Sequence, residues 1–333
     1  MARVVALLAS AVAAVALVGC AATQDSGAPV AAAAGASHAV SATELTVGGR
    51  ERTVLIRDPA PVEAQNSVGG RAKLPALIML HGATGTAQGA ERVTHLTPVA
   101  KNFGFVVAYP QGTPTKTRGG GLAWNAGGCC AAPARDDVDD VAFVGAVIDD
   151  LVAHHGVDPA RVYLSGFSNG GMLTYRVACE LGDRLAGIAV VSGALNVSSC
   201  AAEKALPVLI IHGEKDLTVP YNGGPPHAAT VARLGTWVNS SVSDAVSFWS
   251  KRDGCTGTTA AAHSAVASTV DWTGCTPGSG LKIISLGEGT HRWPTAATEG
   301  FDADAAIVDF FGLASADVPT NATADADADA SVG

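Results

Sequence analysis

The stretch Arg161-Val162-Tyr163-Leu164-Ser165-Gly166-Phe167-Ser168-Asn169-Gly170-Gly171 runs directly into residues 172–181, which read as a helix. A strand-length run, a Gly-x-Ser-x-Gly turn and a helical segment thus follow one another without a gap. That is the context in which a serine is held on a strand-to-helix elbow. A sharp turn of this kind lifts the Oγ above the sheet, and glycines flank it because side chains there would clash with the neighbouring strand and helix. In a chain with 39 glycines the pentapeptide alone is weak evidence. Its weight comes from the strand before it, the helix after it and the partners found downstream.

Outward from the elbow, short apolar runs recur at 52–57, 76–80, 105–109, 161–164, 188–191, 208–211 and 282–286. Most are uninterrupted rather than alternating, as expected of strands covered on both faces in a largely parallel sheet. The connecting segments fit helices. Residues 138–155 carry Val141, Val144, Val147, Ile148, Leu151 and Val152 on one stripe opposite Asp149 and Asp150, with Gly156 placed to close a left-handed cap. Asp158-Pro159 is then expected to turn the chain into the next strand. Alternation of β and α without an internal repeat predicts one doubly wound α/β domain over residues 42–313.

A serine hydroxyl needs a base, and the base needs an orienting acid. The run 208–211 leads into His212-Gly213-Glu214-Lys215-Asp216, and the run 282–286 into Gly287-Glu288-Gly289-Thr290-His291-Arg292-Trp293-Pro294. Both loops fall at the carboxyl end of the sheet. We read Asp216 as the acid, in preference to Glu214 nearer the strand end, and His291 as the base. The chain order Ser168, Asp216, His291 is that of the α/β-hydrolase fold. An oxyanion needs backbone N–H donors. One is expected from Asn169 at the start of the elbow helix, and the other from Ala83 in His81-Gly82-Ala83-Thr84-Gly85 after the run 76–80. His81 and His212 read as structural residues, and His154 and His155 as solvated groups at a helix end. Trp293 and Trp124 are candidates for the wall of a substrate pocket.

The rest of the composition sets the surroundings. Of the 333 residues 48% are apolar, enough for a sizeable core. Thirty acidic against 21 basic residues give a net charge of −9 without a basic cluster, which excludes nucleic acid as an expected partner. Residues 1–19 carry Arg3 and an apolar run, the pattern of an export signal, and Leu17-Val18-Gly19-Cys20 resembles the bacterial lipobox in which the cysteine is lipidated. Residues 20–41 then form a small-residue tether, and residues 314–333 an acidic tail. The expected location is the outer face of the cell membrane, held there by lipid on Cys20. Setting Cys20 aside leaves Cys129, Cys130, Cys179, Cys200, Cys255 and Cys275, an even set that predicts disulfides in an exported protein. Nearest-neighbour pairing is one of the connectivities the sequence allows. No Cys-x-x-Cys or His-x-x-x-His spacing points to a metal, and the chemistry calls for no cofactor.

Taken together, several motifs are similar to those of the polyhydroxybutyrate depolymerase-like esterases. They are Leu80-His81-Gly82, Tyr109-Pro110-Gln111-Gly112, Trp124 with Cys129-Cys130, Val138-Asp139-Asp140-Val141-Ala142-Phe143, Gly166 to Gly171, His212-Gly213 with Asp216 and Val219-Pro220-Tyr221, Gly254-Cys255, and His291-Arg292-Trp293-Pro294. That group includes feruloyl and acetylxylan esterases of carbohydrate esterase family 1 and LpqC-like lipoproteins. The resemblance covers about residues 45–311 and departs at Ala83, where depolymerase-like members often carry Cys. It implies a serine esterase whose substrates are short-chain, feruloyl or acetyl-polysaccharide esters, or hydroxybutyrate polyester. No polymer-binding module accompanies these motifs, which favours soluble or polysaccharide-linked esters. Acyl transfer to a carbohydrate or lipid acceptor, and surface binding without turnover, are the alternatives. The complete set of elbow, acid and base speaks against the latter.

Overall fold

The computed structural model describes residues 42–59, 73–116, 120–197 and 199–314. The export signal, the tether with Cys20 and tail residues 315–333 lie outside the described residues. The first elements are β1 (Ala42–Val47), β2 (Arg50–Arg57), β3 (Leu74–Leu80), α1 (Ala87–Thr94), α2 (Leu96–Phe103) and β4 (Val106–Pro110). The short pair β5 (Thr113–Pro114) and β6 (Leu122–Ala123) precedes α3 (Ala131–Arg135), α4 (Asp140–His154), β7 (Val157–Phe167), α5 (Asn169–Leu181), β8 (Gly187–Val191) and β9 (Pro207–Gly213). Then come α6 (Ala228–Leu234), α7 (Val242–Arg252), β10 (Gly257–Thr258), β11 (Ala262–His263), β12 (Ala267–Thr273), β13 (Gly280–Leu286), α8 (Ala296–Glu299) and α9 (Ala303–Phe310).

The main sheet runs β1-β2-β4-β3-β7-β8-β9-β13-β12-β10, with β11 beside β12. Its centre, β4-β3-β7-β8-β9-β13, is parallel throughout. The flanks, β1-β2-β4 on one side and β13-β12-β10 on the other, are antiparallel. All seven apolar runs picked out in the sequence lie in this sheet. Their uninterrupted hydrophobicity has a direct cause: successive side chains alternate between two cores. Ile78, Leu80, Leu164, Val190 and Ile210 face one, packed under α4, α5 and α7. Leu77, Met79, Val191, Leu209 and Ile211 face the other, with α1, α2 and α9.

Local details differ from expectation in two places. The helix of the 138–155 segment begins at Asp140, because the Asp139 side chain accepts the Ala142 N–H at 2.8 Å and caps it. Asp158-Pro159 does not separate elements. Val157 already pairs with Leu74, and a register shift before the Ala76–Val162 pair takes up the extra residues within β7. The cysteines pair as nearest neighbours: Cys129–Cys130, Cys179–Cys200 and Cys255–Cys275. Among the described residues no helix is long and apolar enough to cross a membrane.

Candidate active site

Ser168 stands alone between β7 and α5 with φ 55° and ψ −121°. For a residue with a Cβ this backbone is costly, of order 1–3 kcal/mol, and persists only where its surroundings impose it. Here the Ser168 N–H is held by the Val191 carbonyl at 2.9 Å, and its carbonyl accepts the Met172 N–H at 2.9 Å. Close approach is bought with glycine: a Cβ on Gly170 would stand 2.5 Å from the Leu80 carbonyl oxygen and 2.6 Å from that of His81. The elbow is thereby pressed onto the loop after β3.

The loops after β9 and β13 are stitched together by their backbones. Glu214 N–H donates to Leu286 O and Lys215 N–H to Gly289 O, both at 2.9 Å. This brings Asp216 beneath His291. Asp216 Oδ1 accepts the N–H groups of Thr218 and Val219 at 2.8 Å each, and Oδ2 lies 2.7 Å from His291 Nδ1. A carboxylate accepts, so Nδ1 carries the proton, and Nε2 is left to accept from the Ser168 hydroxyl at 2.9 Å. The Phe167 ring, centred 5.0 Å from the imidazole, packs against it. Glu214 is exposed and takes no part in this chain. His212 lies below, its Nε2–H donating to Val219 O at 2.8 Å, and burial depresses its pKa so that the ring is neutral. The three residues chosen from sequence as nucleophile, base and acid thus meet in one continuous hydrogen-bonded row.

The family described as Phospholipase/Carboxylesterase matches residues 67–241, more than half of the chain. The chain belongs to the phospholipase/carboxylesterase family. As a member it is a carboxylic ester hydrolase with the α/β-hydrolase fold. The protein named "Putative esterase NocK" from Nocardia uniformis subsp. tsuyamanensis is 31% identical over 276 residues, 78% of this chain and 75% of that one. Feruloyl esterase B of Piromyces equi is 30% identical over 214 residues; the match takes in 62% of this chain and 36% of that longer protein. Among solved structures, the acetyl xylan esterase from Aspergillus awamori superposes with a TM-score of 0.55 over 82% of this chain and 99% of that one, at 16% identity, a likeness of fold. The resemblance to feruloyl and acetylxylan esterases read from the motifs therefore reappears among the relatives.

The two amides expected to face an oxyanion are both uncommitted in this carboxylesterase-family chain. Asn169 N–H is at the first position of α5, where a helix offers no acceptor, and Ala83 N–H donates to no group among the described residues. The two tryptophans chosen as pocket walls need correction. Trp124 is 0% exposed, its indole N–H donating to the His81 carbonyl at 2.7 Å. Trp293 is 4% exposed and edge-on to Phe167 in the core under α9. Neither offers a face to a ligand; packing has claimed both. A buried ion pair went unread in the sequence. Arg52 donates to Asp140 at 2.7 Å, and the other Asp140 oxygen accepts the Asn125 N–H at 2.7 Å, anchoring the segment that carries Trp124. Its signal was the resemblance motif around Asp139-Asp140, which does not reveal a partner on β2. Among the described residues no group of three His, Cys, Asp or Glu side chains is disposed to hold a metal ion.

Proposed function

We propose that this family member cleaves carboxylic esters by a two-step acyl transfer through Ser168. The Oγ attacks the ester carbonyl carbon as His291 Nε2 takes its proton, and Asp216 holds the ring tautomer and offsets the imidazolium charge. The amides of Asn169 and Ala83 receive the oxyanion. Collapse expels the alcohol, which takes its proton from His291, and leaves the acyl group on Ser168. Water, deprotonated by His291, then releases the acid. The reaction as written needs no cofactor. What carries this reading is the row Ser168 Oγ, His291, Asp216, joined by bonds of 2.9 and 2.7 Å.

For substrate we infer short acyl or aromatic acyl esters, of the acetyl and feruloyl kind attached to polysaccharide. Relatives named feruloyl esterase and acetylxylan esterase support this. We place the catalytic domain at residues 42–313, outside the cell and tethered through Cys20. Three disulfides favour an oxidising compartment. Ser168→Ala is expected to abolish turnover of an aryl acetate while the melting temperature holds, and near-wild-type activity in that variant would refute the mechanism. Initial rates on methyl ferulate and acetylated xylan should exceed those on a hydroxybutyrate polymer. The reverse order would overturn the substrate class and leave the mechanism standing.

A further inference from the structure

Two buried side chains lie between the amides of Ala83 and Asn169 and join them. Asn169 supplies one amide from its backbone and grips Trp124 with its side chain: Oδ1 accepts the Trp124 N–H at 2.8 Å, and Nδ2 donates to the Trp124 carbonyl at 3.2 Å. Trp124 passes the connection on. Its indole N–H donates to the His81 carbonyl at 2.7 Å, with the two rings centred 4.8 Å apart.

The His81 ring completes the path. A backbone N–H can only donate, so the Gly112 N–H, 3.0 Å from His81 Nε2, makes that nitrogen the acceptor and leaves the proton on Nδ1. Nδ1–H then donates to the Gly82 carbonyl at 2.8 Å, and the Gly85 N–H reaches the same oxygen at 3.0 Å. Burial holds the His81 pKa at about 4, so Nε2 keeps its lone pair through the neutral range. In a trans peptide the N–H points opposite to the carbonyl. With the Gly82 carbonyl pinned twice, the Ala83 N–H is turned away from both of its anchors. The same peptide adjoins the elbow, since a Cβ on Gly82 would stand 3.2 Å from the Ser168 Cβ. The next amide, of Thr84, is already committed to Leu122 O at 2.6 Å.

We propose that Trp124 and His81 are positioning residues for ester cleavage, a hydrogen-bonded strut that sets where the Ala83 and Asn169 amides stand relative to Ser168 Oγ. This rests on the acyl-transfer reading above. His81, Trp124 and Asn169 are all buried, which keeps water from substituting for the strut's bonds. Because the amides act on charge that develops only in the transition state, loosening the strut lowers kcat and leaves KM nearly unchanged.

The test compares an aryl oxoester with its thionoester, whose sulfur is a weak hydrogen-bond acceptor and draws little from the amides. Trp124→Phe keeps the ring and deletes the N–H; His81→Phe deletes both polar atoms; His81→Asn retains a donor for the Gly82 carbonyl. On the oxoester, kcat should fall roughly tenfold to a hundredfold in Trp124→Phe and His81→Phe, with KM within about twofold. His81→Asn should recover part of the loss. The thionoester rate should fall much less, so that the oxoester preference shrinks. Active sites are counted by a fluorophosphonate that labels Ser168, which removes any unfolded fraction from the rates, and the Trp124 and His81 variants are read separately. Unchanged kcat, or equal losses on both esters, would overturn the strut. Absence of label on Ser168 in the wild-type protein would instead bring down the acyl-transfer reading.

Discussion

Asp216 makes use of both carboxylate oxygens: one holds the Thr218 and Val219 amides, the other faces His291 Nδ1. An Asn at this position can accept with only one of its two atoms. If its oxygen serves the two amides, its NH2 turns toward His291, and the ring must present Nδ1 as acceptor and Nε2 as donor. His291 then faces Ser168 with a proton already in place on Nε2. Asp216→Asn should therefore lower kcat on an aryl acetate by about 10³ to 10⁴-fold with little change in folding. Steady-state kinetics alongside a thermal melt checks this, and a loss below tenfold would remove Asp216 as the orienting acid. At this scale residue type and chain order were enough to pick out Ser168, Asp216 and His291, which the fold brings within hydrogen-bond distance of one another. The sequence was silent where a role depends on what lies opposite. Trp124 stood out in the sequence as a pocket candidate and a motif residue, but what it holds shows only when Asn169 and His81, distant in the chain, are found on either side of it.

Among the elements, α5 carries the elbow at one end and a covalent anchor near the other. Cys179 bonds to Cys200 across 21 residues, and the Ala201 and Ala202 amides donate to the Cys179 carbonyl at 3.1 and 2.8 Å. Closing a loop of that length removes about 3 kcal/mol of unfolded-chain entropy. Replacing both cysteines with Ala should lower the melting temperature by roughly 6–12 °C. Turnover at 25 °C should stay within about twofold, because some 15 Å of helix separates the bridge from Ser168. An unchanged melting temperature would show the two backbone bonds to be sufficient. The elements legible in sequence were the buried parallel strands and the amphipathic α4. The edges were not: β1 is half exposed, with a burial pattern that alternates along its length, and β10 and β11 have two residues each. Such strands exist because a neighbour offers hydrogen bonds, which local hydrophobicity does not record.

Over the whole molecule, folding confines carboxylates in a chain whose net charge is already −9. Asp304, 5% exposed near the start of α9, has its pKa pushed up to about 8, first by burial and then by the neighbouring Asp302. Asp253 is raised to about 6, again chiefly by burial. A carboxyl whose folded pKa lies above its unfolded value binds a proton in the fold that the unfolded chain has released. Its contribution to stability is complete below the unfolded value near 3.8 and is lost as pH rises toward the folded value. For Asp304 the window runs from about pH 4 to about pH 8, at a limiting slope of about 1.4 kcal/mol per pH unit. Asp253 adds to the lower half of it. Self-repulsion of the negative surface acts in the same direction. Below about pH 6.5 the buried neutral rings of His81 and His212 act the other way, because the unfolded chain then binds protons that these rings refuse. The molecule should therefore melt at a higher temperature at pH 6.5 than at pH 8.5. Asp304→Asn keeps the shape of the neutral acid and cannot ionise, so it should flatten the curve and raise the melting temperature by several degrees at pH 8.5. Melts of both proteins across pH 5 to 9 decide the matter. Parallel curves would mean that Asp304 ionises in the fold as readily as in the unfolded chain, and that the alkaline limit of stability lies elsewhere.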